Sequence, residues 1–136
     1  MNRLIARTLA TLGVAGAAVA TTVSVAPNAA AATYNGGCGA GYGVVNSASV
    51  GTVGTVFLTY NSSTGRNCVV TIRNSSGSAT TICEKLWTDS YSNSKCEPNL
   101  TTWGGPIYLY ASGECVSWRG TIGSVTGGKN DTNCGT

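Results

Sequence analysis

The stretch TVFLTY, residues 55–60, decides the fold class of this chain. Every second residue from Val56 to Tyr60 is apolar, and this two-residue period is typical of a half-buried β-strand. The polar segment NSSTGRN (61–67) follows and predicts a loop, because Asn, Ser and Gly favour turns. The next segment, CVVTIR (68–73), is rich in β-branched residues and is predicted to return as a second strand.

The same reasoning predicts four further strands, at residues 42–48, 80–88, 106–111 and 114–119. Residues 33–136 contain no sustained apolar stripe at i, i+3 and i+4, so helices are not expected. The predicted fold class is all-β. We expect a small single-domain antiparallel β-sandwich or barrel of about six strands, stapled by three disulfides.

Two connections between the predicted strands are specific enough to test. Residues 89–105 are rich in Asp, Ser and Asn and contain Pro98 and two consecutive glycines, which predicts a long loop. The dipeptide Ser112-Gly113 predicts a two-residue turn that joins the last two strands in a hairpin. In that register, one face of the hairpin suits a core and carries Ile107, Leu109, Val116 and Trp118.

The first 32 residues have the three-part organisation of a secretory signal peptide. Their start carries two arginines, residues 9–25 are apolar and uncharged, and residues 29–32 are four alanines, which suit a cleavage site. We expect cleavage after Ala32, with cleavage after Ala31 as the alternative. This leaves a secreted all-β domain at residues 33–136. An uncleaved membrane anchor is the other interpretation of the apolar stretch.

The domain that remains is polar and almost uncharged. Losing the two arginines of the leader leaves six Lys and Arg against five Asp and Glu, so the formal net charge falls from +3 to +1. We therefore expect no nucleic-acid partner and, after cleavage, no membrane partner. Gly, Ser, Thr and Asn make up 54 of its 104 residues, which predicts a thin apolar core. Disulfides worth about 3 kcal/mol each would then matter to stability.

Six cysteines follow the predicted leader, and the chain contains no histidine. An even number of cysteines in an exported chain indicates disulfides, and the lack of any Cys-x-x-Cys pair argues against zinc. We therefore expect no metal and no cofactor. Spacing alone does not choose among fifteen possible pairings, and the arrangement we favour pairs the cysteines in sequential order. The six are Cys38, Cys68, Cys83, Cys96, Cys115 and Cys134.

Catalytic chemistry has few candidate residues in this sequence. Without histidine there is no Ser-His-Asp or Cys-His arrangement. Glycoside hydrolysis ordinarily needs two carboxylates, and Asp89 and Glu97, which flank the predicted loop, are the pair that could supply them. The simpler interpretation is that both carboxylates keep the loop soluble. We therefore predict no catalytic residues.

Aromatic side chains offer the one candidate binding surface. Trp103, Tyr108 and Tyr110 are predicted to form a flat exposed patch next to Arg119, of the kind that stacks on sugar rings or docks a partner. The alternative is that the tyrosines form ordinary cross-strand pairs that the C-terminal tail partly covers.

Six segments carry a pattern that extends over most of the predicted domain, at residues 32–47, 54–61, 67–74, 105–110, 115–118 and 133–135. Together they resemble the spore-associated protein A family of actinomycetes. The resemblance implies a small secreted protein that stays associated with the spore or hyphal surface, and it implies no catalytic residue. Four cysteines match the family pattern, whereas the segment with Cys83 and Cys96 departs from it. That departure supports pairing Cys83 with Cys96.

The sequence and the resemblance together predict a non-enzymatic secreted protein of the spore or cell surface. Its partner would be a component of the spore or cell-wall surface. The alternative is a secreted binder or inhibitor of an extracellular hydrolase. In that hypothesis the disulfide-stapled 89–105 loop is the presented element, because a preorganised loop docks at lower entropic cost.

Overall fold

The computed structural model of the protein describes residues 30–135, which form eight β-strands and, within that range, no helix. The strands are β1 (Gly43–Val50), β2 (Gly54–Asn61), β3 (Arg66–Arg73), β4 (Thr80–Trp87), β5 (Ser92–Leu100), β6 (Trp103–Tyr110), β7 (Val116–Ile122) and β8 (Val125–Thr132). The all-β class is confirmed, with eight strands rather than about six.

The strands form two four-stranded antiparallel sheets packed as a sandwich. Sheet A has the order β1-β2-β3-β6, and sheet B has the order β5-β4-β7-β8. Alternation along each strand sends one set of side chains between the sheets and the other set outward. The inner set forms the main core, which includes Val56, Leu58, Leu86, Ile107 and Trp118.

The predicted hairpin of residues 106–111 and 114–119 does not exist. Strand β6 pairs with β3 in sheet A, whereas β7 pairs with β4 and β8 in sheet B. The turn at Ser112 and Gly113 instead carries the chain from one sheet to the other. The predicted inward residues do point into the core, since Ile107 and Val116 are buried there. Alternation identifies the inner face of a strand but not its pairing partner, and this is why the prediction failed.

The predicted 89–105 loop is also wrong. Residues 92–100 form strand β5, which pairs with β4 along its length, and residues 103–105 are the start of β6. The polar composition misled the prediction because β5 is an edge strand, largely exposed on both sides. An edge strand also tolerates Pro98, whose missing N–H would disrupt a central strand. The hydrolase-inhibitor hypothesis assumed that this segment is a loop, and the structure shows an edge strand instead.

All three disulfides pair the cysteines in sequential order. Cys38–Cys68 ties the N-terminal segment to β3, and Cys83–Cys96 links directly opposed residues of β4 and β5. Cys115–Cys134 holds the C-terminus beside the start of β7. Among residues 30–135 no cysteine is free.

The predicted signal peptide lies mostly outside the described residues, at positions 1–29. Of its four alanines, Ala32 belongs to the folded unit: its backbone N–H donates to Asn74 Oδ1 at 3.0 Å, and its side chain packs against sheet A. No helix among the described residues is long and apolar enough to span a membrane.

Candidate functional site

The outer face of sheet A is covered by the segment from residue 32 to residue 42, here called the N-terminal arm. Beneath it lies a second apolar cluster that includes Phe57, Cys68, Val70 and Ile72. The Cys38–Cys68 disulfide fixes the arm to the sheet, and the Tyr34 ring packs against Phe57 with centroids 5.9 Å apart. The arm therefore acts as a partial third layer over this face.

Two residues of the predicted aromatic patch are held by this arm. The Tyr108 hydroxyl donates to the Cys38 carbonyl at 2.9 Å, and its ring lies 5.4 Å from that of Tyr42. Burial, followed by the neighbouring Tyr42 and Tyr34, raises the pKa of Tyr108. The Trp103 ring lies so close to Gly37 that a Cβ there would be 2.8 Å from it. Both rings are thus half-buried beneath the arm, whereas the sequence predicted a flat exposed patch, with partial cover by the C-terminal tail as the alternative.

The other two predicted residues do not join them. Tyr110 is 58% exposed at the end of β6, where its ring lies against Gly65 of the β2–β3 turn. Arg119 lies in β7 and points away from the core on the opposite side of the sandwich. The structure therefore places Trp103 and Tyr108 under different parts of the arm, five residues apart along β6, and places Arg119 elsewhere.

The outer face of sheet B carries a different cluster, formed by Lys85, Trp87 and Arg119 and here called the Trp87 cluster. These residues alternate with Leu86 and Trp118, both fully buried in the core, so they point outward. Lys85 Nζ lies 4.7 Å from the centroid of the Trp87 ring, and Arg119 Cζ lies 5.4 Å from it. Cation–π attraction at these distances holds both positive groups at the ring.

The two positive residues of the cluster are directly opposite each other, since Lys85 pairs with Arg119 in the β4–β7 ladder. Like charges at opposed positions repel. Arg119 donates to Asn130 Oδ1 at 2.8 Å and to the Trp118 carbonyl at 3.0 Å, both uncharged acceptors. Within residues 30–135, neither cation is paired with a carboxylate. The cluster is therefore a concentration of uncompensated positive charge.

Small hydroxyl side chains surround the cluster on the same face. Ser94 is opposite Lys85, and Ser92 is opposite Trp87, in the neighbouring strand β5. On the other side, Thr121 and Thr126 are a cross-strand pair with their hydroxyls 2.9 Å apart. The face thus offers hydrogen-bonding groups and positive charge on a flat, solvated sheet.

One carboxyl group lies inside the sandwich. Glu84 is 1% exposed and points between the sheets, where neither of its oxygens has a hydrogen-bond partner among the described residues. Desolvation by burial raises its pKa to about 7, and the nearby Glu97 carboxylate adds to this rise. Glycines make room for it: a Cβ at Gly104 would lie 2.8 Å from Glu84 Oε1.

The carboxylate pair considered from the sequence is not assembled. Asp89 lies in the turn between β4 and β5, whereas Glu97 lies five residues beyond the start of β5, a distance of about 17 Å along the strand. Glu97 forms an ion pair with Lys95 at 3.2 Å. A glycosidase pair needs carboxyl groups about 5–9.5 Å apart, so these two residues do not form one.

No group of three His, Cys, Asp or Glu residues in the described part of the chain is arranged to hold a metal ion.

Sequence reasoning missed the Trp87 cluster because it paired the strand that carries Arg119 with residues 106–111, whereas in the structure this strand pairs with the one that carries Trp87. The alternation in residues 80–88 carried a usable signal, since Lys85 and Trp87 share a face. The pairing of β4 with β7, which brings Arg119 to them, has no local signature.

Comparison with known proteins identifies one relative over nearly the whole chain. Spore-associated protein A of Streptomyces coelicolor is 43% identical over 132 residues, which cover 94% of this chain and 86% of that protein. No protein-family model and no solved structure matches the chain. Identity at this level and coverage confirms the resemblance seen in the sequence, and the chain belongs to the spore-associated protein A family.

Proposed function

We propose that this chain is a secreted, non-enzymatic protein that associates with the spore or cell surface. The observation that carries the proposal is the 43% identity to spore-associated protein A over 94% of the chain. A relative this similar over a single domain shares its fold, and its name states where that protein is found.

Two features of the molecule support an extracellular location. Three disulfides join all six cysteines, and such bonds persist in oxidising, extracellular compartments. The leader predicted at residues 1–32 would direct export. A domain braced in this way suits a solvated surface layer outside the cell.

The positions of the acidic groups support a role without catalysis. Glu84 is buried, Glu97 is ion-paired with Lys95, and Glu114 accepts a hydrogen bond from the Ser90 hydroxyl at 3.1 Å. Glu97 is close enough to Glu84 to help raise its pKa, but Glu84 is only 1% exposed, and acid–base catalysis needs carboxyl groups that converge on an accessible site.

Localisation in a sporulating host tests the proposal. The full chain, tagged after Gly135, would be expressed in Streptomyces coelicolor lacking its own spore-associated protein A. Spores would be washed at low and moderate salt, and the tag quantified on spores, in the medium and in the cell lysate. A matched chain without residues 2–32 reports the contribution of the leader.

We expect the full chain on washed spores and the leaderless chain in the lysate. Recovery of the full chain only from the lysate would contradict secretion. Recovery only from the medium, or complete loss from spores in the low-salt wash, would contradict surface association.

A further inference from the structure

We propose that the outer face of sheet B binds an acidic polysaccharide, with the Trp87 cluster engaging carboxylate or phosphate groups on its sugars. The inference deepens the proposed function, on which it rests, by naming the chemical class of the surface component. It arises from the arrangement of charge on this face and from what covers each side of the sandwich.

Two cations are placed unfavourably on this face. Lys85 and Arg119 are directly opposed across β4 and β7, with the Trp87 ring within 5.4 Å of both. Opposed like charges weaken a sheet. An anionic group bound between them would turn this repulsion into two favourable charge-assisted hydrogen bonds.

The two basic side chains of the cluster are preorganised by contacts with neighbouring side chains. Long basic side chains on an open surface are usually mobile, and fixing them on binding costs entropy. Trp87 holds Lys85 Nζ at 4.7 Å, while the Asn130 side chain fixes the guanidinium of Arg119. Both cations are therefore already held beside the same ring before any anion binds.

The open shape of this face favours the binding of a polymer over the binding of a small anion. A solvated ion pair on an open sheet contributes little by itself, because water and salt screen it. A chain with an acidic group on successive sugars would present many equivalent groups to the cluster. Repeated engagement raises the effective concentration of the anion without requiring a cavity.

The surroundings of the Trp87 cluster favour a sugar polymer over other polyanions. Hydroxyl side chains flank the cluster on β5, β7 and β8, and they match the donors and acceptors of sugar hydroxyls. The charge of residues 33–136 is only +1, and nucleic-acid binding normally uses an extended basic surface. A local cation pair within a neutral, hydroxyl-rich face fits an acidic glycan better.

Binding to defined polymers in solution tests the proposal. Oxidised protein starting at residue 32 would be titrated at low ionic strength with polygalacturonate, a teichoic acid, neutral chitin oligosaccharides and polyglutamate. The first two probes distinguish carboxylate from phosphate as the acidic group, and the last two separate sugar from charge.

The key variant is Lys85→Gln/Arg119→Gln. Its matched control is Arg66→Gln/Lys129→Gln, which removes two positive charges from exposed positions away from the cluster: Arg66 lies in sheet A, and Lys129 reaches Asn46 of β1. Both variants change the net charge equally, so general electrostatic attraction affects them alike. Circular dichroism and thermal melts confirm that each variant is folded.

We expect binding to at least one acidic polysaccharide, weaker binding to polyglutamate and none to chitin oligosaccharides. The key variant should bind at least about tenfold more weakly, with the control within about twofold of the unmodified protein. Equal losses in the two variants, equal affinity for polyglutamate, or no binding to either acidic polysaccharide would overturn the proposal. Spore localisation with no polymer binding would overturn this inference alone and leave the proposed function standing.

Discussion

The two outer faces of this sandwich carry different sets of aromatic side chains, with several rings on sheet A and Trp87 on sheet B. On sheet A, Trp103 and Tyr108 are covered by the N-terminal arm, which the Cys38–Cys68 disulfide fixes in place. On sheet B, Trp87 is half-buried as well, and two cations lie against its ring. Trp103, Tyr108 and Trp87 are all half-buried, so the two faces differ in what lies against the rings: the arm on sheet A and cationic side chains on sheet B.

The largest expected loss of stability comes from a substitution on the outer face of sheet A. Phe57→Ala removes a ring that is 7% exposed beneath the arm, and it should lower the free energy of unfolding by about 3–5 kcal/mol through lost burial and a cavity. Urea denaturation followed by tryptophan fluorescence measures this. As a control, Tyr91→Ala removes a ring that is 62% exposed and should cost less than about 1 kcal/mol. Equal costs would show that the arm does not bury this face.

Between the two faces, Glu84 should make stability depend on pH. Burial raises its pKa from 4.5 to about 7 in the folded protein. Between these values the folded protein keeps a proton that the unfolded chain has lost. The free energy of unfolding should therefore fall by about 3 kcal/mol as pH rises from about 4.5 to about 7, and this contribution should then level off.

Thermal melts across this pH range, with the Glu84→Gln variant beside the unmodified protein, would measure the contribution. The variant lacks the titrating group, so its profile should be flat by comparison. Glu114→Gln, in the turn between β6 and β7, is the control and should keep the unmodified profile. A fall with pH that persists in Glu84→Gln would assign the effect to another group.

The contact between the arm and Tyr108 should have a moderate effect. Tyr108→Phe keeps the ring and removes the hydroxyl that donates to the Cys38 carbonyl, which should cost about 1 kcal/mol. Binding to acidic polysaccharide should not change, because this residue lies on the other side of the sandwich from the Trp87 cluster. Lost binding with unchanged stability would reverse the roles assigned to the two faces.

On sheet B a substitution should change binding but hardly change stability. Lys85→Gln removes one side of a repulsive cross-strand pair and also one cation–π contact, and these contributions oppose each other. The free energy of unfolding should stay within about 0.5 kcal/mol of the unmodified value. Paired urea titrations would test this, and a loss above about 2 kcal/mol would indicate that the cluster is mainly structural.

The smallest expected effect concerns the residue at which the exported protein begins. The Ala32 N–H donates to Asn74 Oδ1, and cleavage after Ala31 would give this position to the new α-amino group. Cleavage after Ala32, which the sequence favours, would remove the contact. We therefore expect N-terminal sequencing of the exported protein to start at Ala32. A start at Thr33 would show that the arm does not need this hydrogen bond.

Local patterns predicted much of the fold. Alternation in residues 55–60 and 68–73 correctly indicated β2 and β3, and inward residues such as Ile107 and Trp118 are buried in the core. Strand β5 was missed because an edge strand need not be apolar on either side. Strand β5 is held in an extended conformation by its pairing with β4, which its own composition does not reveal.

The candidate site was less predictable because it depends on contacts between distant segments. The β4–β7 pairing that brings Arg119 to Trp87 joins residues far apart in sequence. Equally, nothing local to Tyr108 indicates that the segment around Cys38 lies over it. Exposure of an outward side chain is a property of the whole fold, so sequence alone identified the aromatic residues but not which of them are free.

Sedimentation with washed spores tests the contrast between the two faces most directly. Three oxidised proteins would be compared: the unmodified chain, Tyr108→Ala/Tyr110→Ala on sheet A, and Lys85→Gln/Arg119→Gln on sheet B. The assay temperature would keep all three folded. We predict saturable sedimentation of the first two and a loss of at least about tenfold in affinity for the third. Loss in the tyrosine variant with full binding by the Lys85 and Arg119 variant would contradict the account.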